Sequence, residues 1–185
     1  RPKRDWVATS FMNEPAIARR DRDAQGMLGH IVYLHEDPKT KTITTLGREW
    51  FDASGTLVRR IRYNGHVRST ELALGQTETL HYTWQVLVSS PSDVAGGANG
   101  AEMQATTYAG PQAIQLPQGR IEACKLQTKV INAQGQQTAD DTEYHAPGLG
   151  LVKSYRTFTD PAAAEYRQTA MLELAATSVV STAFT

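Results

Sequence analysis

A single cysteine, Cys124, among 185 residues excludes an internal disulfide and any zinc site built from several thiolates. The role left for that thiol is a small, buried and inert hydrophobe inside a strand, since free cysteine is most often core. Charge of one sign is equally lacking: Lys plus Arg number 19 and Asp plus Glu number 19. No global field therefore draws the chain to nucleic acid, and no nucleic-acid partner is expected. No stretch approaches the roughly 18 consecutive apolar residues that cross a bilayer, so no transmembrane segment is expected in the visible chain.

Recognisable catalytic and metal motifs are missing as well. There is no His-Glu-x-x-His, no Cys-x-x-Cys and no Asp-rich calcium loop. Of the histidines at 30, 35, 66, 81 and 145, the close pair His30 and His35 is five apart, which places them on opposite faces of a strand. No metal and no cofactor is expected. There is no Gly-x-Ser-x-Gly elbow, and the glycines at 96–100 lack the lysine and Ser/Thr of a phosphate loop. Asp140 and Asp141 are adjacent and point apart in an extended chain, a poor pair for flanking one bond. An enzyme is the last of the readings.

What is present is period-two alternation. Between 79 and 88, Leu80, Tyr82, Trp84, Val86 and Val88 share one parity and Thr79, His81, Thr83 and Gln85 the other, the pattern of a half-buried strand. Leu57, Ile61 and Tyr63 alternate with Val58, Arg60 and Arg62, with Arg59 breaking the apolar side. Residues 6–12, 27–34, 40–51, 121–131 and 136–145 are rich in β-branched or aromatic residues. Short turn segments at 52–55, 64–65, 117–119 and 132–135 leave no room for parallel crossovers, so sequence neighbours are antiparallel. The expected fold is all-β: one strongly bent antiparallel meander or half-barrel of about a dozen strands, forming a single domain over 1–185. Residues 89–100, rich in Ser, Gly and Ala, read as a flexible loop. A helical turn is expected at 160–165, where Asp160 and Pro161 supply a cap and a first-turn proline. The charged run 19–25 reads as a short helical or irregular connection.

Two groups of candidate binding residues follow. A bent sheet with Leu80, Tyr82, Trp84, Val86 and Val88 on its concave side would enclose an acyl chain or present an apolar groove. Residues 44–70 carry Arg48, Arg59, Arg60, Arg62 and Arg68 against Glu49 and Asp52, and Arg60 and Arg62 point the same way, as an anion or headgroup patch or as a solvated sheet face. Residues 48–59 and 142–153 echo each other, both running acid, aromatic, glycine turn, Leu-Val and base, which is read as two similar hairpins.

The run Leu116-Pro117-Gln118-Gly119-Arg120-Ile121-Glu122-Ala123-Cys124, followed by Tyr144-His145-Ala146-Pro147-Gly148-Leu149-Gly150-Leu151-Val152-Lys153, resembles bacterial exported and lipoprotein-like β domains of uncharacterised function. The likeness covers roughly residues 105–158, with His145 standing where an aromatic or apolar residue is frequent and Gln118 where alanine is. It implies a periplasmic or secreted curved sheet, like the half-barrels of lipoprotein carriers. The chain opens on Arg1 and not on Met, as either a processed mature form or a trimmed one would, and a removed signal or lipoprotein signal that would anchor it to a membrane is one expectation. The expected function is noncatalytic: a cell-envelope protein binding a hydrophobic ligand or lipid, or alternatively an assembly component that holds an envelope protein by a sheet edge.

Overall fold

The computed structural model describes residues 3–91, 99–117, 119–147, 150–158 and 170–173. Twelve strands form one sheet: β1 (Lys3–Phe11), β2 (Glu14–Arg22), β3 (Leu28–Asp37), β4 (Thr42–Phe51), β5 (Leu57–Asn64), β6 (Val67–Ser69), β7 (Thr77–Ser89), β8 (Asn99–Leu116), β9 (Gly119–Asn132), β10 (Gln137–Ala146), β11 (Gly150–Phe158) and β12 (Ala170–Glu173). Their order in space follows the chain, except that β6 leaves the path to pair with β4 while β5 pairs with β7. Every pairing is antiparallel, and among the described residues there is no helix. The sheet curls into a half-barrel, as the meander of short turns requires.

The Asn64-Gly65 step, where Gly65 takes φ of 79°, is not the hairpin expected: β5 and β6 both pair antiparallel with β4 and so run on in the same direction along it. At the β4–β5 turn the Asp52 carboxylate accepts the backbone N–H groups of Ser54 and Thr56 at 2.8 and 3.0 Å. That is an Asx-type closure of the β4–β5 hairpin. Asn132 closes β9–β10 in the same way, accepting from the N–H groups of Gln134 and Gln136 at 3.0 and 2.9 Å.

Three further expectations change. The run 19–25 is not a connection throughout: Arg19 to Arg22 belong to β2, because each charged residue there finds a cross-strand partner on β1 or β3. Strands also trim the loop expected at 89–100, with Ser89 ending β7 and Asn99 opening β8; residues 92–98 lie outside the described residues, as do the turn at 148–149 and the helical turn at 160–165. Finally, Cys124 is only half-buried. Its neighbour Ala123 takes the opposite, convex side of β9 and packs in a buried cluster with Ile114, Leu116, Tyr144, Ala146 and Val152.

Cross-strand partners project to the same side of a sheet, so the register sorts the two faces. One face lies inside the curl, where Arg68 of β6 meets Glu143 of β10, two strands that are not neighbours. The convex face carries two apolar patches. In one, Phe11 stacks on Tyr33 at 4.6 Å and lies so close over Gly47 that a Cβ there would fall 2.3 Å from the Phe11 ring. The other is the Ile114–Val152 cluster.

Candidate functional site

The concave face is not the apolar cup expected from β7. Leu80, Tyr82, Trp84 and Val86 do share it, but their cross-strand partners on β8 are polar: Gln104 opposite Leu80 and Glu102 opposite Tyr82. Leu80 and Tyr82 are 7% and 6% exposed and belong to the packing. The Tyr82 hydroxyl donates to Glu102 Oε2 at 2.6 Å, and its ring meets His66 and Tyr63 at 4.5 and 5.8 Å. Burial, together with the adjacent Glu102 charge, pushes the Tyr82 phenol up. Val88 departs from the row. A register shift between Arg60 and Ile61 sets Val86 opposite Ile61 but Val88 opposite Arg60, on the other side.

The basic stretch divides the same way. Arg60 and Arg62 project together, as expected, but onto the convex side, where Arg60 Nε lies 2.5 Å from Glu49 Oε1 and Arg62 Nη2 lies 3.5 Å from Glu14 Oε1. Their charges are matched there by neighbouring carboxylates. Arg48, Arg59 and Arg68, by contrast, turn inward.

Two cross-strand rows run over the inner face from β1 to β5: Arg4, Asp21, His30, Trp50 and Arg59, then Trp6, Arg19, Val32, Arg48 and Ile61. Asp21 is the hub of the first. Its carboxylate accepts from Arg4 Nε at 2.5 Å and lies 3.5 Å from Arg19 Nη2 and 3.4 Å from His30 Nδ1. Burial alone would raise the Asp21 carboxyl, but the hydrogen bonds from His30 and Arg4 and the charges of Arg19 and Arg4 outweigh it and hold the group well below the usual carboxylate range. Burial, reinforced by the repulsion of Arg4 and Arg48, lowers Arg19 to about 10. Burial, with Arg48 and Arg19 nearby, lowers His30 to about 4, so its ring is neutral near pH 7.

Beyond this end the interior stays polar. His66 shares a hydrogen bond with Gln104 at 3.2 Å, and a ladder continues from Gln104 to Thr106 and on to Thr128 at 3.2 and 3.0 Å. Burial lowers His66 to about 4, helped by Arg48 and Arg68. Glu143 meets Arg68 at 3.5 Å and His145 Nε2 at 2.9 Å. Burial pushes its carboxyl up, but the His145 hydrogen bond and the Arg68, His145 and Arg19 charges prevail, and it stays ionised. Arg156 clasps Asp141 with two hydrogen bonds across β10 and β11, and the pairing overrides burial to raise the guanidinium. At this end a groove of about 510 Å3 opens among Arg68, Glu78, Tyr108, Cys124 and His145.

Arg4, Arg19 and Asp21 were not among the residues singled out from sequence, while Arg48 was counted in the basic stretch and His30 was weighed only as a metal ligand. These last two carried a signal, because His30 shares the parity of Val32 and Leu34, and Arg48 that of Trp50. Among the described residues, no three His, Cys, Asp or Glu side chains converge as metal ligands. The arrangement defines a class of protein: a curled antiparallel half-barrel whose concave face is charged, partly aromatic and largely self-paired. Neither comparison with protein families, nor with curated proteins, nor with solved structures found a match.

Proposed function

We propose that the chain is a noncatalytic binding protein of the cell envelope that holds an amphipathic, lipid-like ligand on the concave side of its half-barrel. The observation that carries this reading is the placement of Trp6, Trp50 and Trp84 on the inner face beside inward arginines. Trp6 is half exposed, Trp50 meets His30 at 5.1 Å, and Trp84 lies 6.0 Å below the Arg59 guanidinium. Indole rings next to fixed cations suit a molecule with an apolar body and an acidic head. The envelope location rests on the resemblance carried by the Leu116–Cys124 and Tyr144–Lys153 motifs. The test is gentle purification of the native protein, solvent extraction and mass spectrometry. An acyl-bearing acid recovered in near-stoichiometric amount is the expected result, and an empty extract overturns the reading.

A second reading, assembly with an envelope protein through a sheet edge, is favoured by β1. It ends the sheet with nine residues and exposes both Trp6 and Val7, an edge that another strand can extend. A co-purifying protein that is lost from a Val7→Lys variant, with the lipid extract empty, would favour assembly.

A further inference from the structure

The end of the concave face nearest β1 holds four buried polar atoms that no described residue pairs. Arg4 Nη1, Arg19 Nε, Arg48 Nε and His30 Nε2 are all closed off from solvent and have no hydrogen-bond partner among the described residues. The Arg4 side chain is 7% exposed, with its Nε already committed to Asp21. Buried guanidinium N–H groups are rarely left without an acceptor, because each forfeits its hydration. Here they converge from three strands, β1, β2 and β4. Among the described residues, Glu143 attracts Arg19 from across the curl, and Arg59 lies opposite Trp50 in the first row. Around Asp21, two guanidiniums and the His30 ring face one carboxylate, and Arg48 stands close enough to Arg19 and His30 to repel their charged forms.

We propose that Arg4, Arg19, Arg48 and His30 form a binding site for a phosphate group, the acidic head of the ligand proposed above. The inference rests on that reading and specifies its chemistry. Guanidiniums fit phosphate oxygens through paired N–H groups. His30 distinguishes phosphate from carboxylate. With Nδ1–H directed at Asp21, the Nε2 of the neutral ring is an acceptor, and it suits the hydroxyl of a singly protonated phosphate monoester, a form that a second pKa of about 6 keeps populated near neutral pH and that a carboxylate does not offer. Trp6, opposite Arg19 in the same row, and Trp50, opposite His30, put apolar surface where the rest of such a ligand would continue.

The test is titration calorimetry of the full chain with inorganic phosphate, and with detergent micelles doped with phosphatidic acid or, as control, phosphatidylcholine. The parent protein is expected to bind phosphate and phosphatidic acid and to ignore phosphatidylcholine. Arg19→Met and Arg48→Met should each weaken binding by about tenfold or more, the usual loss for a charge-assisted hydrogen bond, while Arg62→Met on the convex face leaves it unchanged. Phosphatidic acid bound more tightly than phosphate identifies a lipid head; equal affinities identify free phosphate as the ligand. Should the inner-face variants fail to fold, the His30 imidazole signals of the parent protein must move on saturation with phosphate. Silence of both probes, unmoved His30 signals, or unaltered binding by folded variants overturns the site. An acyl-bearing extract combined with that result leaves the carrier reading standing alone; phosphate binding with an empty extract removes the carrier reading and keeps the site.

Discussion

Arg68 on β6 and Glu143 on β10 meet at 3.5 Å across the hollow of the sheet. Their strands share no hydrogen bonds, so the pair fixes how far the sheet curls rather than how its strands register. His145 completes the cluster from the same side. Neutralising Glu143 as Glu143→Gln keeps the shape of the side chain but leaves Arg68 facing it without a counter-charge. The expected cost is about 2 kcal/mol, below the full penalty for a sealed pair because both side chains retain some solvent contact. Urea unfolding of parent and variant measures it, and a midpoint that does not move would show that the pair holds nothing.

Acid should weaken the fold before the carboxylates titrate. His30 and His66 lie near 4 in the folded protein against 6.5 ordinarily. Between those values the unfolded chain binds protons that the folded chain refuses, so stability falls as pH drops from 6.5 towards 4. The loss is roughly 2 kcal/mol per histidine at about pH 5. Asp21 and Glu143, both held low, add their own loss only as pH falls below the usual carboxylate range. Denaturant midpoints at about pH 7.5 and pH 5 test the sum, and imidazole resonances of His30 and His66 that titrate near 6.5 would contradict it.

Gly47 is required by contact, not by its backbone angles. A Cβ on it would sit 2.3 Å from the Phe11 ring and 2.6 Å from the Ile61 carbonyl oxygen. Gly47→Ala is therefore expected to cost about 1–3 kcal/mol, the range for overpacking. Adding Phe11→Leu should recover only part of this, since the Ile61 backbone stays in place. Full recovery in the double variant, by thermal melting, would place the whole conflict on the ring.

Cys124 should react with a small maleimide in the native state. Its thiol lines the groove with His145 and accepts a hydrogen bond from the Tyr108 hydroxyl at 3.5 Å. Tyr108→Phe should speed labelling by removing that cover. Mass spectrometry of a timed reaction decides it, and a thiol that labels only after unfolding would restore the buried role expected from sequence.

Much of the architecture was legible because hairpin chemistry is local: Asp52 and Asn132 announce their turns, and the alternation of β7 correctly puts Leu80, Tyr82, Trp84 and Val86 on one side, whereas Asn64-Gly65 joins two strands that share β4 as neighbour and make no hairpin. Register shifts were not legible. The irregularity opposite Ile61 turns Val88 away from that row, and further shifts occur between Tyr33 and Leu34 and between Tyr144 and His145. The echo between 48–59 and 142–153 shows the consequence. Glu49 faces outward to Tyr33 and Arg60, while the corresponding Glu143 faces inward to Arg68 and His145. The inner cluster escaped notice for a related reason: charged residues occupy both parities of β1 and β2, and parity separates faces only when one of them is apolar.

Strand order that follows chain order also governs assembly in time. Each hairpin can zip from its own turn with little loop entropy to overcome, so the flat ribbon is the quick part of folding. The links between Arg68 and Glu143 and between Arg19 and Glu143 join distant parts of the chain and form only after the ribbon exists. Curling is therefore expected to come late and to be in part electrostatic, so raised salt should slow it while leaving hairpin formation untouched.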